Sequence, residues 1–165
     1  MSQHDEDPTI YNGHFEVEVL IDRPVQQVWK AFLDIGSWVT SHDIETLHGT
    51  PGTVGSITRV SFKKAKEQGV PLPHYHYCKL IKVVPEQQWI LKTYSEEGGS
   101  YGMQMTAFDD GRLIAAGSQT RATFNIFAEI RSEAVAKDPS AMNLDVSREG
   151  MLKNLQNLKR MVESR

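Results

Sequence analysis

Residues 15–38 read Phe-Glu-Val-Glu-Val-Leu-Ile-Asp-Arg-Pro-Val-Gln-Gln-Val-Trp-Lys-Ala-Phe-Leu-Asp-Ile-Gly-Ser-Trp. In the first third, Phe15, Val17, Val19 and Ile21 alternate with Glu16, Glu18, Leu20 and Asp22. A period of two describes a strand with one face on a core and the other mostly in water. The period then changes. Val25, Val28, Trp29 and Phe32 stand at i, i+3, i+4 and i+7, one face of a helix. Pro24 suits the first helical position, because its φ is fixed and its missing N–H would have no partner there. Asp22 stands just before it, where a carboxylate can meet free backbone N–H groups. Gly36 reads as the helix stop. Strand followed directly by helix is the frame around which the rest of the chain is placed.

The chain has 165 residues and reads as one domain, able to bury about two thirds of its unfolded surface without metals or disulfides. Its net charge of -3 speaks against nucleic-acid binding, which calls for a basic patch. The short cluster Lys63, Lys64, Lys66 is followed by Glu67 and reads as a solvated loop or hairpin tip. One cysteine, Cys78, excludes an internal disulfide and fits a reducing compartment. Met1 to Pro8 is polar and acidic, without the features of a signal peptide, and no apolar run reaches the length of a membrane span. The expected setting is cytoplasmic.

Residues 1–12 read as a flexible tail, and 13–165 as the single domain. After the first helix, Ser37 to Asp43 continues as a short helix or turn around Trp38. Ile44 to Gly49 reads as a strand, and Thr50-Pro51-Gly52-Thr53 as a type II turn leading to a β-rich run, Val54 to Phe62. Lys63 to Pro73 is expected to be a loop. His74 to Val84 and Trp89 to Ser95 read as strands, with a turn at Glu97-Gly98-Gly99-Ser100. Tyr101, Met103, Met105 and Ala107 alternate with polar residues, and Asp109-Asp110-Gly111 reads as a hairpin turn. Arg112 to Phe127 is a long run expected to bend, and 129–138 a helical turn. Met151, Leu152, Leu155, Leu158 and Val162 form a helical stripe, with Ser147 or Asp145 as its cap. Strand, two short helices, about six more antiparallel strands and a long helix make an α+β architecture.

The opening strand, Asp22-Arg23-Pro24-Val25-Gln26-Gln27-Val28-Trp29, Asp34 and Trp38 resemble the start of START-like (SRPBCC) proteins. Pro51-Gly52-Thr53-Val54-Gly55-Ser56, between the second and third strands, and Gly150 to Lys159 resemble the corresponding segment and the closing helix of that family. The similarity spans residues 13–163 and is nearest to the polyketide cyclase/dehydrase-like and lipid-transport-like members. The resemblance implies a helix-grip fold, in which about seven antiparallel strands curve around a long C-terminal helix and enclose a cavity for an apolar small molecule. It implies binding, transport or sequestration of an apolar, aromatic or lipid-like ligand. Two alternatives stand beside it: a cyclase, aromatase or dehydratase-type enzyme, and a protein-interaction module of the chaperone-activator kind. The family has no common catalytic motif, so whether the chain is an enzyme stays open.

With that cavity as frame, strand parity sends His74, His76, Cys78 and Leu80 inward and Tyr75, Tyr77 and Lys79 outward. Histidine is a suitable ligand contact or acid–base group, because its pKa lies near working pH. Two histidines two apart could also share a metal with Glu45 or His48, but the expectation is no metal and no cofactor. Tyr101, Met103 and Met105 are expected on the cavity wall, with Trp38, Phe62, Trp89, Phe124, Met151 and Leu155. Arg59 and Arg121 are expected on the outer sheet face, the alternative being an inward anchor for a carboxylate or phenolate, with Arg121 left open, and Cys78 is expected as an inert buried thiol.

Overall fold

A computed structural model describes residues 10–63, 75–95, 104–133, 137 and 144–165. Seven strands form one antiparallel sheet: β1 (Ile10–Ile21), β2 (His42–His48), β3 (Ile57–Phe62), β4 (His76–Val84), β5 (Gln88–Tyr94), β6 (Gln104–Ala116) and β7 (Gln119–Arg131). Two short helices, α1 (Val25–Leu33) and α2 (Ile35–Trp38), follow β1, and a long helix, α3 (Leu144–Glu163), closes the chain. The strand order is β1-β7-β6-β5-β4-β3-β2. Consecutive strands from β2 to β7 are therefore neighbours, while β1 and β2 lie on opposite edges. The α+β class and the helix-grip arrangement follow the sequence expectation.

The period-two stretch is a strand whose Phe15, Val17 and Ile21 are buried. It begins at Ile10, inside what reads as tail, because 10–12 pair with 129–131 of β7. The helical stripe buries Val28, Ala31 and Phe32. Pro24 is the residue before the helix rather than its first: its carbonyl accepts from the Gln27 and Val28 N–H groups. Asp22 supplies no cap. Its backbone N–H donates instead to Glu163 at the end of α3, 2.7 Å away. Arg23 also reaches the Glu163 carbonyl, and Lys159 the Leu20 carbonyl, so the last turn of α3 is tied to the β1–α1 junction. The helix ends at Leu33 with Asp34 as its C-cap, and Gly36 lies within α2.

Thr50 to Thr53 makes the expected turn, with Gly52 at φ +81° and the Thr53 N–H on the Thr50 carbonyl. The largest departure from expectation lies in β6. Asp109-Asp110-Gly111 is not a turn but the middle of a 13-residue strand paired on both sides. The chain reverses instead at Gly117-Ser118, where Gly117 takes φ +64°. The run from Arg112 to Phe127 is thus the end of β6, a tight turn and most of β7. β7 continues to Arg131, so a helical turn does not begin at 129. α3 starts at Leu144, which puts Asp145 and Ser147 inside the helix rather than at its cap.

Gly111 is required by packing. A Cβ there would stand 2.5 Å from two atoms of the Trp89 indole and 2.9 Å from Phe32 Cζ. Trp89 pairs with Gly111 across the strands, and its ring packs on Phe32 and Phe124 at centroid distances of 5.3 and 5.5 Å. α3 lies along β1 and over α1 and α2, and it contributes Leu155, Leu158 and Val162 to the same core.

Candidate functional site

Between the inner face of the sheet and the α1–α2 segment lies a cavity of about 920 Å³. Strand alternation decides what faces it. From β4, His76, Cys78 and Leu80 point in; from β5, Trp89 and Leu91; from β6, Asp109; and from β7, Phe124. Trp29, Leu33, Ile35 and Val39 form the helical side, Ile44 and Val60 the β2–β3 side, and Met151 of α3 borders the space. The sheet floor around Trp89, Leu91 and Phe124 is apolar, while Lys30, Asp34, His42, Asp43, Lys63, His76 and Asp109 also border the space.

His76, Trp89, Phe124 and Met151 are therefore where the sequence puts them. Trp38 and Leu155 are not on the wall. Both are fully buried, Trp38 stacked on Phe32 with its indole N–H on the Phe32 carbonyl. The α2 turn directs Trp38 into the core between α1 and α3, where its ring has more apolar area to bury. Met105 shares the inward parity of β6 but pairs with Ile130 beyond the cavity's end, and it does not line the space. His74, Tyr101, Met103 and the Phe62 side chain lie outside the described residues. Arg59 pairs with Glu45, and Arg121 with Glu18, at exposed positions. With Glu45 so engaged and His48 exposed, neither joins His76 as a metal ligand. Among the described residues no three His, Cys, Asp or Glu side chains converge on a metal position.

The residue that sequence reading missed is Asp109. Its Oδ2 accepts a hydrogen bond from the Thr93 hydroxyl at 2.9 Å. Thr93 Oγ1 stands 3.3 Å from Cys78 Sγ. Because the hydroxyl proton is directed to the carboxylate, the thiol is the donor in that second contact. Asp109 has surface toward the cavity yet is enclosed by protein, and burial pushes its carboxyl up to about 6, against the opposing Thr93 hydrogen bond. Burial, and then the nearby Asp109 charge, push the Cys78 thiol up to about 12, so it stays protonated and unreactive.

Asp110 shows what this chain does with a carboxylate on the other face. It accepts from Gln88 and from both Nε and Nη2 of Arg112. Burial raises its pKa, but the Arg112 and Gln88 hydrogen bonds outweigh it and hold the group below its ordinary value. Two consecutive aspartates thus have opposite fates, set only by the face they occupy.

His42 and His76 meet edge to face, ring centroids 6.1 Å apart, on neighbouring parts of the cavity wall. Burial, then the neighbouring His42, pushes His76 down to about 4. Burial also lowers His42, partly offset by Asp43. Both rings are neutral at pH 7. The Trp89 indole N–H is buried and meets no acceptor among the described residues.

No family model matches the chain, and no curated protein matches it in sequence. Solved structures match in shape. Norcoclaurine synthase from Thalictrum flavum, in complex with dopamine and hydroxybenzaldehyde, superposes with a TM-score of 0.65 at 14% identity, over 98% of this chain and 93% of that one. Ara h 8.0201 gives 0.63 at 16% identity, over 94% of this chain and 100% of that one. The major latex-like protein 151 of Panax ginseng gives 0.62 at 10% identity, over 91% and 97%. At these identities the likeness speaks for architecture. Seven antiparallel strands curved around one long closing helix, matched over this share of each chain, are a helix-grip fold.

Proposed function

We propose that the protein binds an apolar small molecule in the cavity between the sheet and its helices. The observation that carries this reading is the cavity itself: about 920 Å³ walled by Trp29, Leu33, Leu91, Trp89, Phe124 and Met151. Affinity would come chiefly from buried apolar area, at about 25 cal/mol per Å² before the cost of association. The same fold holds two aromatic small molecules in norcoclaurine synthase, which supports an aromatic ligand here. A single buried cysteine suits a cytoplasmic carrier or sequestering protein.

A dye-displacement titration with fatty acids, flavonoids and steroids tests the reading. Binding in the micromolar range is expected, and Leu91→Trp, which narrows the cavity from β5, should weaken it while the circular dichroism spectrum is kept. Undiminished binding by Leu91→Trp would place the ligand elsewhere. A second reading, enzymatic turnover of the bound molecule, is favoured by one group. A carboxyl titrating near 6 on the wall of a cavity can both take and give a proton near neutral pH. It requires that Asp109→Asn abolish turnover while leaving binding of neutral ligands intact.

A further inference from the structure

The cavity's polar equipment is lopsided. Asp109 brings a carboxylate to the middle of the floor, opposite Leu91. One of its oxygens is satisfied by Thr93. Among the described residues no lysine, arginine or histidine forms an ion pair with it, in contrast to Asp110 next door with Arg112. The other oxygen, Oδ1, makes no hydrogen bond among the described residues. An ionised carboxylate set among Trp89, Leu91 and Phe124 without a countercharge is unfavourable, and a ligand that completes it gains from doing so.

The remaining charged and titratable groups on the wall do not complete it. Lys30 and Asp34 come from the α1–α2 side, and His42 and Asp43 from β2. Lys63 lies just past β3 and pairs with Asp43 at 3.8 Å. His76 and Cys78 come from β4; the histidine is held neutral and the thiol protonated by burial. From β7 the wall receives Phe124 and from α3 Met151, neither of which carries charge. The Cys78–Thr93–Asp109 chain of contacts fixes the carboxylate's orientation without neutralising it.

Building on the ligand-binding reading, we propose that the molecule held in this cavity carries a protonated amine, anchored by Asp109 at the sheet floor while its apolar body packs on Trp89, Leu91 and Phe124. An ammonium supplies both what the carboxylate lacks: a hydrogen-bond donor for Oδ1 and a positive charge in a low-dielectric space. A neutral alcohol supplies only the first. A carboxylic acid ligand supplies neither when ionised and is repelled.

Calorimetric titration at pH 7 with 4-phenylbutylamine, 4-phenylbutanol and 4-phenylbutyrate separates these cases, since the three share one apolar body. The amine is expected to bind at least about ten-fold more tightly than the alcohol, and the carboxylate most weakly. Asp109→Asn keeps the side chain's shape and should bring amine and alcohol to nearly equal affinity, an unchanged circular dichroism spectrum showing that the variant is folded. Amine binding by the wild type should strengthen several-fold from pH 5 to pH 7, and this slope should vanish in Asp109→Asn, which leaves His42 and His76 in place. Alcohol binding as tight as amine binding in the wild type, or an amine preference that survives Asp109→Asn, would overturn the proposal while leaving an apolar binding site standing. Failure of all three probes, together with failure of every dye, would instead overturn the binding reading on which it rests.

Discussion

Replacing Gly111 by alanine tests how tightly the floor of the cavity is built. Gly111 does not adopt a left-handed φ, so the backbone itself accepts a side chain there. Judged by backbone alone, glycine to alanine within a strand should stabilise by about 0.5–1 kcal/mol. The new methyl, however, would stand 2.5 Å from Trp89 Cε2 and Cζ2 and 2.9 Å from Phe32 Cζ, where ordinary contact begins at 3.4 Å. Roughly an ångström of overlap must be removed by moving rings that are both fully buried and packed on one another. Overpacking of this kind costs about 1–3 kcal/mol and exceeds the backbone gain. For a chain of this size each kcal/mol lowers Tm by about 2–4 °C. Guanidinium unfolding of both proteins, with equal m-values, measures the difference. A double-mutant cycle locates it: in a Trp89→Leu background the cost of Gly111→Ala should shrink by about 1 kcal/mol or more. A neutral or stabilising Gly111→Ala, or a cost that Trp89→Leu leaves unchanged, would refute the packing account.

The buried carboxyl makes a prediction of the opposite sign. The Asp109 pKa rises from 3.8 to about 6 on folding, so the folded state binds the proton more tightly and its contribution to stability falls as pH rises from about 4 through 6. Asp109→Asn should therefore stabilise the ligand-free protein at pH 7.5, by up to about 3 kcal/mol, and much less at pH 4.5; chemical denaturation at the two pH values checks this, and equal effects at both would count against a buried charge. Cys78, held protonated to about pH 12, should react with a maleimide at pH 8 only on unfolding, and labelling of the native protein at the rate of a free thiol would contradict its burial. His76 should stay neutral down to about pH 4 in an NMR titration, and a midpoint near 6.5 would show that its ring is hydrated.

The fold was legible because its signals are local and repeated. The alternation from Phe15 to Ile21, the stripe from Val25 to Phe32 and the turn at Gly52 are each specified by neighbours in sequence, and each appears within a few residues of where the pattern puts it. The site was half legible. Parity alone sends His76 and Cys78 inward, and the structure agrees. Asp109 was hidden because Asp-Gly, which follows it, is also a strong hairpin signal. What makes it strand rather than turn lies on β5: Thr93 accepts the role of donor to Asp109, and Trp89 occupies the space above Gly111. Those partners stand 16 and 22 positions away, beyond any local pattern. One sequence signal did exist. Carrying the alternation of Met105 and Ala107 two residues further would have aimed Asp109 inward. Trp38 failed for the converse reason, since no periodicity in a four-residue helix says which way a ring turns.

The placement of β1 at the far edge from β2 has a consequence for how the chain reaches this structure. His14 and Asn125 touch across the β1–β7 pair although 111 residues separate them. The five hairpins from β2 to β7 can form from short-range contacts as each strand becomes available, whereas β1 must wait for the last strand of all. Closing so long a loop is entropically unfavourable until β7 offers a complete partner and α3 covers the seam. Within this sheet the strand that comes earliest in sequence is therefore the last to pair, and its alternation of valine and phenylalanine stays uncovered until β7 and α3 are in place.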